Sequence, residues 1–420
     1  MNVPSIDAAI GMEVYSTDID GIGGAIKQNM EQFFVEELLY NGLLDLSSDA
    51  DEEHEYPIYI LQKEGIDSNH AITEVKIATG LKLKVVGLKD AKAITRQYVG
   101  SVRKCSNATP CIVTRHCVLH LLGYTRKPIT KANLVGNRFT ISVTGSWTNN
   151  LEQTLIKFEK IISENRIANF YGYQRFGGSR AVTHLVGREI IRRNFKSAVE
   201  IFLSYPSMYD RKEIAKIRAA CMDSSNIPHI LKIMPKQMDL ERILLQELAA
   251  SNDPFRAIRR LPVTIRRLFV QAYQSYLFNR SLSIAIKRGY DTAVPTDGDI
   301  CFNIANNRVI GIKRFARNDA YVQVPAIPMV GYAFRDDNKF SSIVKQVMSE
   351  ENISKDDFYV REMQEVSVEG GLRQASLFCN DFSYTLNESL KLQFGLCKGC
   401  YATVLLRELM KPTDPIAAGF

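Results

Sequence analysis

Hydrophobic and polar positions alternate in the first third of the chain and then change period. In IKQNMEQFFVEELLYNGLL, Phe33, Val35 and Glu37 alternate with Phe34 and Glu36, which predicts a strand. YPIYILQKEG (56–65) reads as a second strand. Ser68 or Asn69 is placed to cap a helix running to Thr79, with Gly80 stopping it. Leu81, Leu83 and Val85 alternate with lysines, Gly87 breaks that strand, and Thr95, Tyr98 and Val99 restore β character. CIVTRHCVLHLLG (111–123) and NRFTISVTG (137–145) predict further strands. Residues 151–167 have helical spacing, with Leu151, Leu155, Phe158 and Ile162 on one face.

Residues 196–288 are strongly helical and are punctuated by Pro228, Pro235, Pro254 and Pro262. Strand patterns return at 300–313, hinged on Asn306 and Asn307, and at 320–333. A helix is expected at 339–350, a strand at 390–396 and a helix start in 399–409. A helical middle between two sheet-rich ends is an α+β pattern and suits one domain inserted into another. A chain of 420 residues also exceeds one ordinary core.

Composition narrows the class. The 45% hydrophobic and 24% charged fractions are those of a soluble globular protein. No apolar run approaches the roughly 18 residues that span a membrane, and the N-terminus lacks the basic start and apolar core of a signal peptide, so a cytoplasmic protein is expected. The eight cysteines form no disulfide framework and are expected as free thiols. Cys397 and Cys400 make a lone CxxC without a second ligand pair, so no metal site is expected.

Charge adds candidate chemistry. Asp90 is the only acid between Val75 and Asn150, among thirteen Lys and Arg. Nearby cations favour an ionised carboxylate, and the surrounding field attracts a polyanion. Asp90 falls on a loop between strands, a usual place for chemistry. The plain alternative is a surface aspartate paired with Lys89 or Lys92. Two further clusters suggest phosphate contacts: Arg175, Arg180, Arg188, Arg192, Arg193 and Lys196 against Glu189, and Arg256, Arg259, Arg260, Arg266 and Arg267 with no acid between 254 and 270. A solvated helix face is the plain reading of either.

Five segments resemble one family. VGLKDAKAITRQ (86–97) is similar to the GxKDxxAxTxQ box of the TruD family of tRNA pseudouridine synthases, and NFYGYQRFG (169–177) to its NxxGxQRFG box. QAYQSYLFN (271–279) and YATVLLREL (401–409) resemble two further segments. IKQNMEQFFVEE (26–37) resembles an N-terminal IKxxxEDFxVxE, with Gln32 at the position of the usual acid. The matches keep family order from 26 to 409, and the long helical middle is closer to the archaeal and eukaryotic branch. The resemblance implies an isomerase, an intramolecular transferase that turns a tRNA uridine, most typically position 13, into pseudouridine. It implies a pseudouridine synthase catalytic domain on a mixed, largely antiparallel sheet (1–194 plus 374–420) with an inserted α/β TRUD domain (195–373). No cofactor is implied, tRNA is the partner, and a monomer is expected.

By the same resemblance Asp90 matches the catalytic aspartate, the nucleophile, and Lys27 the lysine that pairs with it. Phe33, Asn169 and Tyr401 match positions lining the target nucleotide, the last usually Phe. Gln174 and Arg175 would brace the site or hold phosphate, bracing being favoured for Gln174. Phosphate contacts would fall to Arg180, Arg188, Arg192, Arg256, Arg259 and Arg260. The residues agree with this chemistry on their own terms. Breaking the C1′–N1 bond and joining C5 to C1′ needs a carboxylate, and no redox step or metal. Attack on the sugar, attack on the base, and prior deprotonation at the 2′ carbon stay equally open. Aromatic faces suit a base taken from its stack, and an Asn amide can read a uracil edge. His184 reads as a packed polar residue, not a general base. A metal-dependent nuclease would need several converging acids, and a non-catalytic RNA-binding protein would leave Asp90 without a purpose.

Overall fold

The computed structural model describes every residue except Met1, 41–44, Leu88, 90–92, Ser146, 148–149, 224–225, 306–307, Asn318 and Glu388. The chain packs into two compact units. One comprises residues 1–18, 168–302 and 312–376, the other 19–167, 303–311 and 377–420. Residues 195–373 therefore lie in the first unit apart from 303–311.

The second unit is built on a ten-stranded mixed sheet. Its strands are β1 (Phe33–Leu39), β2 (Leu46–Ser47), β3 (Tyr56–Lys63), β4 (Leu83–Val85), β5 (Ile94–Ser101), β6 (Cys111–Val113), β7 (Cys117–Thr125) and β8 (Leu134–Val143), with β13 (Cys379–Leu386) and β14 (Leu390–Cys397) from the C-terminal end. The order is β13-β14-β8-β1-β5-β3-β7-β2, with β4 on β5 and β6 on β7. All pairings described in it are antiparallel except β1 with β5. Helices α2 (Ser68–Thr79), α3 (Leu151–Ser163) and α12 (Ala402–Met410) accompany it. Ala71 and Val75 of α2 bury themselves with Tyr59, Leu61, Val99 and Leu119 of the sheet, the apolar face that its spacing provides.

The first unit holds α1 (Ser5–Ala9), α4 (Thr183–Ile191), α5 (Phe195–Ser204), α6 (Lys212–Ala220), α7 (Ile227–Ile233), α8 (Asp239–Ser251), α9 (Pro254–Arg260), α10 (Val263–Lys287) and α11 (Ser341–Glu350). A four-stranded sheet, ordered β10-β9-β11-β12, is formed by β9 (Ile300–Ala305), β10 (Arg308–Arg314), β11 (Val322–Met329) and β12 (Gly371–Gln374); residues 303–311 of its first two strands are counted with the second unit. The 25-residue α10 is the axis of the unit and packs closely on α4. A Cβ at Gly187 of α4 would lie 2.0 Å from the Phe269 carbonyl oxygen, so this crossing needs glycine. The α+β class and the mixed, mainly antiparallel sheet are thus as expected.

Local departures have physical causes. Asp67, not Ser68 or Asn69, caps α2 by accepting from the backbone N–H groups of Asn69 and His70. Its carboxylate is the stronger acceptor, and the Ser68 hydroxyl is engaged elsewhere. Gly80 closes that helix in the left-handed region, φ 75°, as glycine permits. The single strand expected over 111–123 is a hairpin, β6 and β7. It turns at residues 114–116, where Thr114 N–H donates to the Cys117 carbonyl and Glu74 takes His116. The expected hinge at Asn306 and Asn307 lies outside the described residues.

Candidate active site

Asp90 lies outside the described residues, but both flanks of its loop are fixed. Strand β5 carries β3 along one edge, from Thr95 to Gly100. On the other edge β1 pairs with residues 94–96 and β4 with residues 99–101. β4 ends at Val85, opposite Val99, beside the gap between those two neighbours. Glu37, wholly buried near the end of β1, fills the gap. Its Oε2 accepts from the Tyr98 N–H (2.9 Å) and its Oε1 from the Lys89 ammonium (2.7 Å). The Lys89 N–H donates to Ser68 Oγ at 2.9 Å, and Ser68 Oγ–H donates to Gln97 Oε1 at 3.0 Å. At the other flank, Ile94 stands opposite Phe34. Lys89 is thus ion-paired with the buried Glu37.

Lys27 stands near the other end of β1. Its backbone is left-handed, φ 55°, a conformation that costs a non-glycine residue about 1 kcal/mol and recurs at functional sites. Bonds on both sides hold it: the Ile26 N–H to the Ala418 carbonyl (2.9 Å), and the Gln28 N–H to Gln32 Oε1 (2.9 Å). Gln32 therefore keeps an acceptor where the family pattern has an acid. The Lys27 ammonium lies 4.4 Å from the centre of the Phe33 ring, a favourable cation–π placement. Phe33 itself is buried and edge-on to Phe139, which stacks on Phe394. The ring supports Lys27 and the sheet core, and offers little free face to a base.

Tyr401 precedes α12, half-buried, where β14 has just ended. The register sets Cys397 of β14 opposite Gly136, and Gly136 opposite Leu38. Tyr401 therefore follows the Glu37 end of the sheet. Its helix is completely buried and holds an ion pair of Arg407 and Glu408 at 2.8 Å.

The other box belongs to the first unit. Asn169 is 1% exposed. Its Oδ1 accepts from Arg373 Nη2 (2.9 Å) and its Nδ2 donates to the Gln374 carbonyl (3.3 Å). The amide is partly committed, with one N–H and one lone pair left for a ligand. Arg373 also stacks 3.8 Å from the Tyr171 ring centre and binds the Asn169 carbonyl. Sequence reasoning missed this brace, since Arg373 lies about two hundred residues away and sits in no quoted box. Gln174 and Arg175 occupy the single turn Tyr173–Phe176. Gln174 is exposed. Arg175 is half-buried, 5.3 Å from the Tyr171 ring, and its Nε is buried with no hydrogen-bond partner among the described residues.

Comparison with known proteins decides the family. The sequence model described as tRNA pseudouridine synthase D (TruD) matches residues 9–409. The chain belongs to the TruD family. A Methanosarcina barkeri protein named for tRNA pseudouridine synthase D is 30% identical over 99% of both chains, and a Pyrobaculum aerophilum protein of that name is 31% identical over the full length of both. A crystal structure from Methanosarcina mazei, of a protein assigned as tRNA pseudouridine synthase D (TruD), superposes with a TM-score of 0.77 at 28% identity. It covers 99% of this chain and 100% of that one. As a TruD-family pseudouridine synthase, the chain is an isomerase acting on tRNA.

Several arginines expected to contact RNA phosphate also bond within the protein. Arg180 donates to the carbonyls of Ile201, Phe202 and Tyr205 at the end of α5. Burial, with Arg218 nearby, lowers its pKa to about 10. Arg188 is held by Glu189, and Arg192 by Glu189 and the Glu351 carbonyl. Arg180, Arg188 and Arg192 thus each have partners within the protein. Glu247 of α8 stands 3.5 Å from both Arg256 and Arg260, so tertiary packing supplies the acid that window 254–270 lacks. Arg259 is exposed against Phe255. Such exposed pairs contribute about 0–1 kcal/mol, so Arg256, Arg259 and Arg260 can still exchange partners for phosphate.

His184 is buried between Phe176 and Tyr276, and burial lowers its pKa to about 3. It stays neutral and is no general base at working pH. The cysteines are all free, and among the described residues no group of three or more His, Cys, Asp or Glu is placed to hold a metal. No described helix is long and apolar enough to cross a membrane.

Proposed function

We propose that this TruD-family protein converts uridine 13 of tRNA to pseudouridine, with the Asp90 carboxylate as its nucleophile. The tethering of Lys89 and Ile94 alongside β1 supports this reading most. Both described residues, Lys89 and Ile94, are tied to the strand that carries Phe33 and follows Lys27. Lys27 holds the carboxylate ionised and oriented. The uracil leaves its stack, rotates after the C1′–N1 bond breaks, and rejoins through C5, which loses its proton as N1 gains one; Tyr401 is proposed to contact its ring and Asn169 to read its edge. The chemistry needs no metal or nucleotide cofactor, and the enzyme acts as a cytoplasmic monomer. Mapping pseudouridine in tRNA from cells with and without the protein tests the assignment. Unchanged position 13 overturns it.

Tyr401 contributes its ring. Tyr401→Phe is expected to be nearly silent, and Tyr401→Ala to slow the single-turnover rate by about ten-fold or more, the worth of a lost stacking contact of roughly 1–3 kcal/mol. Equal losses in both variants would assign the role to the hydroxyl.

Residues 195–373 are proposed as the inserted TRUD domain that grips tRNA without entering bond-breaking. Reversing Arg259 and Arg260 to Glu is expected to raise Kd and flatten its salt dependence by about one phosphate's worth per lost contact. The rate at saturating tRNA should hardly change. A normal salt slope with a collapsed saturated rate would make this segment a brace of the active site.

A further inference from the structure

We propose that Glu37 is a positioning residue for catalysis: with Lys89 and Ser68 it forms a buried clamp that sets where the β4–β5 loop presents Asp90. This rests on the reading of Asp90 as the catalytic carboxylate.

Three bonds converge on the residue before Asp90. The Lys89 side chain is fixed to Glu37 Oε1 at 2.7 Å, its N–H to Ser68 Oγ at 2.9 Å, and its carbonyl accepts from the Ser68 N–H at 3.4 Å. The anchors are themselves anchored. Glu37 holds the Tyr98 N–H of β5, and the Ser68 hydroxyl donates to Gln97 of the same strand. Lys89 is thus referenced at once to β1, to the start of α2 and to β5. Successive Cα atoms are about 3.8 Å apart, so fixing backbone and side chain at one position strongly limits the next.

The backbone is built around this pair. A Cβ at Gly87 would lie 2.6 Å from Glu37 Oε1 and 3.0 Å from the Lys89 ammonium, so the loop passes directly over it. The Glu37 side chain is 0% exposed and that of Lys89 11%. Such pairs add little net stability over apolar residues of similar volume, but they fix geometry. Antiparallel neighbours such as β4 and β5 need only two to five connecting residues. Here eight residues, 86–93, connect them, and among the described ones Lys89 is the residue these bonds hold. Placement is what a catalytic carboxylate requires, since an error of about 1 Å can cost on the order of a hundred-fold in rate.

The test is steady-state and single-turnover kinetics on unmodified tRNA, with melting temperatures measured alongside. Glu37→Gln is expected to lower kcat by about a hundred-fold with KM for tRNA changed less than about three-fold. Ser68→Ala keeps the ion pair, loses the hydroxyl bridge and is expected to lower kcat about ten-fold, which covers the case of a Glu37 variant that folds poorly. The double variant Glu37→Leu/Lys89→Met replaces the pair by apolar residues of similar size. It should recover the melting temperature and stay slow. Recovery of rate together with melting temperature would make the pair merely structural and overturn the proposal. Asp90→Asn in the same series separates the two levels. A dead Asp90→Asn beside normal Glu37→Gln and Ser68→Ala overturns the clamp alone, and an active Asp90→Asn overturns the catalytic reading beneath it.

Discussion

Asp90→Asn is expected to lower turnover by at least about a hundred-fold and to leave tRNA affinity near that of the unaltered chain. The exchange is close to isosteric, so the packing change is small. The carboxylate is also not needed to neutralise Lys89, whose ammonium already meets the buried Glu37 at 2.7 Å. Removing a negative charge from a segment with thirteen Lys and Arg leaves phosphate attraction intact or slightly stronger. The loss should therefore fall on the chemical step and appear undiminished in single turnover at saturating tRNA. Activity above a hundredth of normal would sink the assignment of Asp90 as nucleophile.

Lys27→Met is expected to be the next most damaging change in the proposed machinery, by roughly ten- to a hundred-fold in kcat. Methionine keeps the length and apolar body of lysine, so packing on Phe33 survives and the ammonium alone is lost. The left-handed backbone at φ 55° is imposed by bonds at Ile26 and Gln28, which the substitution does not touch. A carboxylate deprived of a nearby cation holds its proton to higher pH. The acidic limb of the pH–rate profile should consequently move upward, with activity setting in at higher pH than normal. A normal rate with an unmoved limb would return Lys27 to the surface.

The reach of sequence reasoning differs between local pattern and charge. Alternation at Phe33, Val35 and Glu37 placed β1 and its buried face correctly, since period-two side chains share one side of a strand. That alternation also carried an unused signal. A carboxylate on an apolar face must find a partner, and Glu37 was the pointer to Lys89. Local charge counts misled. The segment with one acid is answered from other strands and loops: Glu37 on Lys89, Glu36 on Arg96, Glu55 on Lys104, and Asp45 and Glu53 on Arg126. Arg180, in a basic run, serves the carbonyl end of a helix.

The amino-acid order by itself determined the element types, the α+β class and the boxes that identify the family, because periodicity, turn residues and short motifs are properties of neighbours along the chain. Tertiary structure alone decided which arginines remain available to solvent. It also decided that Arg373 braces Asn169, that Phe33 lies under Lys27, and that Ser68 leaves its helix cap to serve the Asp90 loop. These outcomes depend on which strands become neighbours and which buried polar groups must then be satisfied. Contacts between residues tens to hundreds of positions apart are set by sheet register and burial, neither of which any window of sequence contains.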